Sequence, residues 1–385
     1  MSSTLAGARK VAFSRAVAEG RELEYLAQAV ASGRLAGGGS FTRRCESWLQ
    51  ENLPAPRALL THSCTAALEM AAILAEVGPG DEAIMPSFTF SSTANAFALR
   101  GATPVFVDIR PDTLNLDERL IEAAITPRTR VIVPVHYAGL PCAMDAIMAI
   151  AERHGLLVIE DAAQGHMVRH GGRALGTIGH LGCLSFHETK NLVAGEGGAL
   201  LVNDARLMAR AEILREKGTD RTRFLRGEVD KYTWQDIGSS FIPGELSGAF
   251  LLAQLEQAEA ITQHRRALFD LYAEELAPLA AARRVTLPSF RGDEANGHIF
   301  WMLLRDGAER GDMMDHLRAQ GVQAVFHYVP LHSAPAGRRL GRCAGALPVT
   351  EEVGARLLRL PLHGALDEAD ARRVAAAVRA FYGMS

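Results

Sequence analysis

From about residue 57 to 204 the chain alternates between short apolar runs and stretches with helical spacing. The runs Ala83–Pro86, Pro104–Asp108, Val131–His136, Leu156–Glu160, Cys183–Phe186 and Ala199–Val202 have strand length, and most end on a polar or small residue. Between them, Met70, Ile73, Leu74 and Val77 follow an i, i+3, i+4, i+7 stripe that stops at Gly78-Pro79-Gly80. Ile147, Ile150 and Ala151 form a second stripe, ended by Gly155. This alternation predicts an α/β domain with a mainly parallel central sheet, whose ligands gather at the carboxyl ends of the strands. Residues 246–279 read as long helix. After Pro288 the pattern changes: a strand at His298–Leu304, a helix at Asp312–Gln320, a strand at Val322–Tyr328 and a last helix at Glu368–Phe381 predict a smaller C-terminal α+β domain. The expected division is an N-terminal arm and helix over 1–35, a ligand-binding large domain over 36–250, and a smaller domain with its linking helix over 251–385. No internal repeat or low-complexity linker separates them, so close packing is expected.

Bulk properties narrow the class. A chain of 385 residues has room for two domains, and 48% hydrophobic with 22% charged residues fits a soluble globular protein. A net charge of -3 carries no polybasic signature for nucleic acid or membrane. The five cysteines, Cys45, Cys64, Cys142, Cys183 and Cys343, are scattered without a CxxC pair. That supports neither a zinc site nor a disulfide framework, and suits a reducing cytoplasm. Met1 to Lys10 lacks the apolar core of a signal peptide, and no run approaches the roughly 20 apolar residues of a membrane span.

The candidate chemistry begins with lysine. Of 41 Lys+Arg only Lys10, Lys190, Lys217 and Lys231 are lysines. Arginine stays protonated at any working pH, whereas a desolvated lysine can lose its proton and join an aldehyde. Lys190 follows an apolar run in Ser185-Phe186-His187-Glu188-Thr189-Lys190-Asn191 and precedes Gly195-Glu196-Gly197-Gly198. That setting points to a lysine for pyridoxal phosphate (PLP); the plain alternative is a surface residue in an arginine-rich chain. Two further pieces bear on the choice. Thr61-His62-Ser63-Cys64-Thr65 lies between an apolar run and a helical stripe, where free amides and hydroxyls bind phosphate. Such residues are more often plain N-caps. Asp161, in Val158-Ile159-Glu160-Asp161-Ala162-Ala163-Gln164, ends an apolar strand, where a carboxylate is costly unless paired. A pyridinium nitrogen is one suitable partner, and a helix cap or core ion pair is the alternative. Phosphate loop, carboxylate and lysine occur in that order, which resembles fold type I PLP-dependent transferases.

Together with Met85-Pro86-Ser87-Phe88-Thr89-Phe90, Phe106-Val107-Asp108 and Pro134-Val135-His136, these segments resemble the DegT/DnrJ/EryC1/StrS family of PLP-dependent sugar aminotransferases, from about Leu23 to Phe381. The resemblance implies roles. Lys190 would hold the cofactor aldehyde and shuttle the proton, and Asp161 would pair with the pyridine nitrogen. Gln164 would lie near the phenolic oxygen, and Phe90 would stack on the ring. Cys64, Thr65 and Ser185 would hold the phosphate. Many relatives carry a Gly-Tyr-Asn-Tyr-Arg stretch whose Asn reaches the phosphate from the partner subunit. Here Gly238-Ser239-Ser240-Phe241-Ile242 puts the shorter Ser240 in that place. His327 and His332 fall where relatives approach the sugar nucleotide. The alternative for them is loop structure around Pro330 and Pro335. His187 would face the ring or substrate, or be simply packed. Lys217, Arg221 and Lys231 would meet a diphosphate, or remain solvated surface charges.

The resemblance also implies L-glutamate as amino donor and a homodimer with shared active sites. Segments 41–45, 215–219, 230–234 and 326–332 are similar to those of members that aminate dTDP-4-keto-6-deoxy-D-glucose at C4 to the galacto-configured amine. A ketosugar of another nucleotide, or amination at C3, is the alternative. A sugar 3-dehydratase would have histidine at the lysine position. A PLP-binding regulator without turnover does not need the Asp161/Lys190 pair. A desulfurase-type lyase needs a cysteine on a mobile loop, and no cysteine here is so placed.

Overall fold

The computed structural model describes residues 10–18, 20–292 and 294–384. The first nine residues of the expected N-terminal arm lie outside that range. The central sheet has eight strands in the order Arg57–Thr61, Gly198–Val202, Leu181–Ser185, Leu157–Asp161, Thr129–Ile132, Glu82–Pro86, Thr103–Val107 and Arg342–Cys343. Only Gly198–Val202 runs against the rest. Alternate side chains of these strands enter two separate cores. On one face Leu60, Ile84, Ile132, Val158 and Leu184 pack with Leu49, Ile147 and Leu252 from helices Ser40–Asn52, Met144–His154 and Glu245–Glu256. On the other, Leu59, Met85, Val131, Ile159 and Cys183 pack with Leu68, Phe97 and Leu214 from helices Cys64–Leu74, Ser91–Ala98 and Ala205–Arg215. Both faces are covered, which is why these strands read as continuous apolar runs rather than as alternation. The result is the α/β, mainly parallel architecture expected of a fold type I PLP-dependent transferase.

The third core belongs to the C-terminal part. There Phe300–Leu303 pairs antiparallel with Leu357–Leu360. Trp301, Leu317, Val374 and Val378 pack with Leu268 and Tyr272 beneath helices Ala258–Ala281, Gly307–Ala319 and Glu368–Phe381. This core reaches the large sheet through Phe88, Tyr137 and Tyr328, whose rings lie edge-on at 5.1 to 6.1 Å. No helix among the described residues is long and apolar enough to cross a membrane.

Three expected elements differ. In the run at 131–136 the regular strand ends at Ile132, because Pro134 has no N–H to donate, and Val135 pairs with Asp161 only as an isolated bridge. The long helix over 246–279 is two, Glu245–Glu256 and Ala258–Ala281, parting at Gln257 (φ -105°, ψ 7°). The first buries Leu252 and Leu255 in the large core and the second buries Leu268 and Tyr272 in the small one, so one straight helix cannot serve both. Val322–Tyr328 is not a regular strand. It pairs at isolated points, Val322 with Val11 and Val325 with Arg359, and then carries His327 and Tyr328 to the domain junction.

Candidate active site

Asp161 ends strand Leu157–Asp161, buried at 5% exposure. Thr93 Oγ1 donates to its Oδ2 at 2.8 Å, and the Ala163 amide donates to Oδ1 at 3.2 Å. Thr89 Oγ1 lies 2.9 Å from Thr93 Oγ1 and extends the network. A carboxylate so held has its orientation set before any ligand arrives.

Beside it two helices start. Ser63 caps Cys64–Leu74 by accepting from the Ala66 amide at 3.1 Å, and leaves first-turn amides without intrahelical partners. Thr65 Oγ1 meets Ser92 Oγ, in the first turn of Ser91–Ala98, at 2.8 Å. Two dipole ends and two hydroxyls therefore converge, an arrangement suited to a phosphate. The strand behind must come very close: a Cβ on Gly198 would lie 2.4 Å from the Ser63 carbonyl carbon and 2.5 Å from the Cys64 nitrogen. Glycine at 198 is thus a condition of the cradle. Burial, reinforced by Asp161, pushes the Cys64 thiol well above its ordinary range and keeps it neutral.

Lys190 lies in the loop between Leu181–Ser185 and Gly198–Val202. The Lys190 amide donates to the His187 carbonyl at 2.9 Å, and Glu188 donates to Gly195, which turns at φ 75°. Burial pushes the Lys190 ammonium down, with Asp161 opposing, so the neutral amine becomes more accessible than on a surface lysine. Ser185 is fixed from behind: His166 Nε2 donates to its carbonyl at 2.6 Å, and burial lowers that imidazole to about 4.

One cavity of about 460 Å³ at the carboxyl ends of these strands gathers most of the expected residues. Cys64, Thr65, Asp161, Ser185 and Lys190 line it, as do Phe90, Gln164, His187 and His327. Phe90 precedes helix Ser91–Ala98 and is 62% exposed, so its ring face is open to a ligand. Gln164 is held in place, accepting from the Ala138 amide at 2.7 Å and donating to Tyr328 Oη at 3.3 Å. His187 Nδ1 bonds Thr189 Oγ1 at 2.9 Å, with Nε2 3.7 Å from Glu196. His327 stacks on Tyr328 at 3.9 Å, and burial lowers it to about 2, so it acts as a neutral hydrogen-bonding group.

Five expected residues do not line this cavity within the chain. Lys217, Lys231 and Ser240 are exposed, and Arg221 reaches only Glu216, at 3.4 Å. Ser240 sits in an isolated bridge with Glu216. The His332 amide donates to Ser87 Oγ at 3.0 Å, its Nδ1 lies 2.8 Å from the same oxygen, and Nε2 faces Glu351 at 3.3 Å. These bonds tie the loop after Pro330 to the large sheet. Conversely, Thr93, Ser92, Tyr328 and Arg359 line the cavity without having been singled out. The hydroxyl-rich run Ser91-Ser92-Thr93 was a signal for the first two; nothing in the sequence marks Arg359 among 37 arginines.

The site fits pyridoxal phosphate: a hydroxyl-lined cradle at two helix starts, a pre-oriented carboxylate and a partly desolvated lysine share one cavity. Fold and site together define a PLP-dependent aminotransferase. Residues 17–379 match the DegT/DnrJ/EryC1/StrS aminotransferase family, and the chain belongs to it. It is 35% identical to GDP-perosamine synthase of Caulobacter vibrioides, covering 94% of this chain and 95% of that one. It is 33% identical to the spore coat polysaccharide biosynthesis protein SpsC of Bacillus subtilis over 93% of each chain. Among solved structures, DesV of S. venezuelae superposes with a TM-score of 0.88 at 33% identity, covering 98% of this chain and 99% of that one. The protein is a PLP-dependent sugar aminotransferase.

Proposed function

We propose that the protein transfers the amino group of L-glutamate to the keto carbon of a nucleotide-linked 4-keto-6-deoxy sugar, releasing 2-oxoglutarate. The observation that carries this reading is the convergence of Asp161, Lys190 and the Cys64–Thr65 helix start on one cavity in a sugar aminotransferase fold. When bound, the cofactor supplies an electron sink for the carbon that loses its proton. Asp161 would keep a proton on the pyridine nitrogen, with Thr93 fixing the carboxylate. Cys64, Thr65 and Ser185 would hold the phosphate, Gln164 would lie by the phenolic oxygen and Phe90 would cover one ring face. Lys190 Nζ removes the proton from Cα of glutamate in one half-reaction and delivers a proton to the sugar carbon in the other. His187 and His327 face the sugar.

The leading substrate is dTDP-4-keto-6-deoxy-D-glucose, giving dTDP-4-amino-4,6-dideoxy-D-galactose. Segments 215–219, 230–234 and 326–332 support it. The name of the Caulobacter relative favours a second reading, a GDP-linked sugar on the same residues. SpsC, by its name, suggests that the product enters a cell-surface polysaccharide. Five free cysteines suit the cytoplasm, where we place the reaction. The deciding assay offers dTDP-, GDP- and UDP-linked 4-ketosugars with glutamate and assigns products by NMR. Glutamate-dependent amination at C4 of the dTDP sugar is expected. Turnover of only the GDP sugar selects the second reading, and amination at C3 removes both.

We further infer a homodimer with shared sites. Lys217, Lys231 and Ser240 are exposed on the same stretch as Leu225, Tyr232 and Trp234, the last 80% exposed. So much apolar surface among cations suits a covered face near a diphosphate. Light scattering should give a dimer, and joint Ser239→Ala and Ser240→Ala substitution should weaken cofactor retention. A monodisperse active monomer would sink this arrangement.

A further inference from the structure

We propose that Arg359 is the anchor for a carboxylate of the amino donor, an inference that rests on the aminotransferase reading above. Arg359 lies in strand Leu357–Leu360, its amide donating to the Val325 carbonyl at 2.7 Å. Its side chain lines the cavity with Lys190, His327 and Tyr328. Its Nε is buried without a hydrogen-bond partner. The guanidinium carbon sits 4.5 Å from the centre of the Phe13 ring, so the N-terminal segment covers one face of the group.

A half-buried cation with a buried N–H needs hydrogen-bonding partners. Arg265 shows the structural solution: fully buried, it donates to the carbonyls of Gly297, His298 and Leu362. Arg359 has no such set, and no carboxylate of the described residues pairs with it. The acidic groups lining the cavity are engaged elsewhere, Asp161 with Thr93 and the Ala163 amide, and Glu196 with His187. Its counter-anion must come with a ligand.

Position selects which anion. The charge of Arg359 acts on Lys190, His327, Tyr328 and Tyr137. That is a different set from the Ser63–Thr65 and Ser92 cradle. The proton that Lys190 takes is on the carbon bearing the donor α-carboxylate, one bond away. In a sugar nucleotide, by contrast, the diphosphate hangs from C1, across the ring from the C4 ketone. A cation beside the base therefore matches a donor carboxylate, which a guanidinium grips through two parallel N–H bonds.

The test uses the holoenzyme and the variants Arg359→Met and Arg359→Lys, checked for folding by thermal denaturation. Each half-reaction is followed by rapid mixing through the cofactor absorbance, and cofactor affinity by fluorescence titration. For Arg359→Met, the glutamate concentration giving half-maximal rate should rise on the order of ten- to a hundredfold. Arg359→Lys should recover part of that loss. The ketosugar half-reaction and the cofactor affinity should be unchanged. A matching loss with L-alanine assigns the α-carboxylate, and a loss confined to glutamate assigns the side-chain carboxylate. If Arg359→Met does not fold, a smaller rise in Arg359→Lys is the expected result. Unchanged glutamate dependence, equal losses in both half-reactions, or weakened cofactor binding would overturn the proposal. A wild-type enzyme that reacts with no amino acid overturns the aminotransferase reading, and this one with it.

Discussion

Lys190→Ala is expected to abolish transamination, with a fall on the order of ten-thousandfold or more, because in the proposed function one amine serves as both cofactor attachment and proton carrier. Arginine at 190 should be equally inactive, since a guanidinium keeps its proton where a buried amine releases it. Burial already disfavours the charge on Lys190, so alanine removes a group the fold does not need, and the folded protein should be recovered. The phosphate cradle at Cys64, Thr65 and Ser92 is untouched by the change, so cofactor should still bind, without the absorbance band of its lysine-linked form. The measurement is a visible spectrum and a glutamate-dependent rate on purified Lys190→Ala. Full turnover would refute the assignment.

Asp161→Asn should cost a hundred- to a thousandfold in rate, about 3–4 kcal/mol of transition-state stabilisation, because an amide cannot hold the proton on the ring nitrogen. The shape of the site should survive: asparagine Oδ1 can still accept from the Ala163 amide, and its Nδ2 can donate to the Thr93 hydroxyl, which turns from donor to acceptor. Thr93→Val separates charge from orientation. It keeps the carboxylate in place but removes its 2.8 Å donor, and should give a smaller loss, on the order of tenfold. The check is single-turnover kinetics with glutamate on both variants. A near-normal rate for Asp161→Asn would make the carboxylate structural only.

Much of this site was legible because its pieces are local. Asp161 closes a strand whose apolar residues announce it, and Ser63-Cys64-Thr65 opens a helix whose stripe announces that. Lys190 is conspicuous as one of four lysines. The partners were not legible. Thr93 reaches Asp161, and Asn191 Oδ1 meets His298 Nδ1 at 2.8 Å, across long stretches of chain that no local pattern links. His332 illustrates the converse: the resemblance placed it near the sugar nucleotide with loop structure around Pro330 as the alternative, and within the chain its ring meets Ser87.

The alternation of apolar runs and helical stripes was enough for a doubly covered parallel sheet, since burial on both faces leaves its mark in each strand separately. Residue type marked Asp161 at a strand end and Lys190 in the loop after Ser185 as candidates, each beside a plain alternative that only the combined motifs outweighed. The sequence alone did not decide where the helix over 246–279 breaks, because that depends on two cores pulling its apolar residues apart. Nor did it decide which of 37 arginines is left without a counter-anion. Charge pairing is a property of side chains brought together from distant segments, and only the packed structure shows Arg359 half-buried in the cavity of Lys190 with its Nε unanswered.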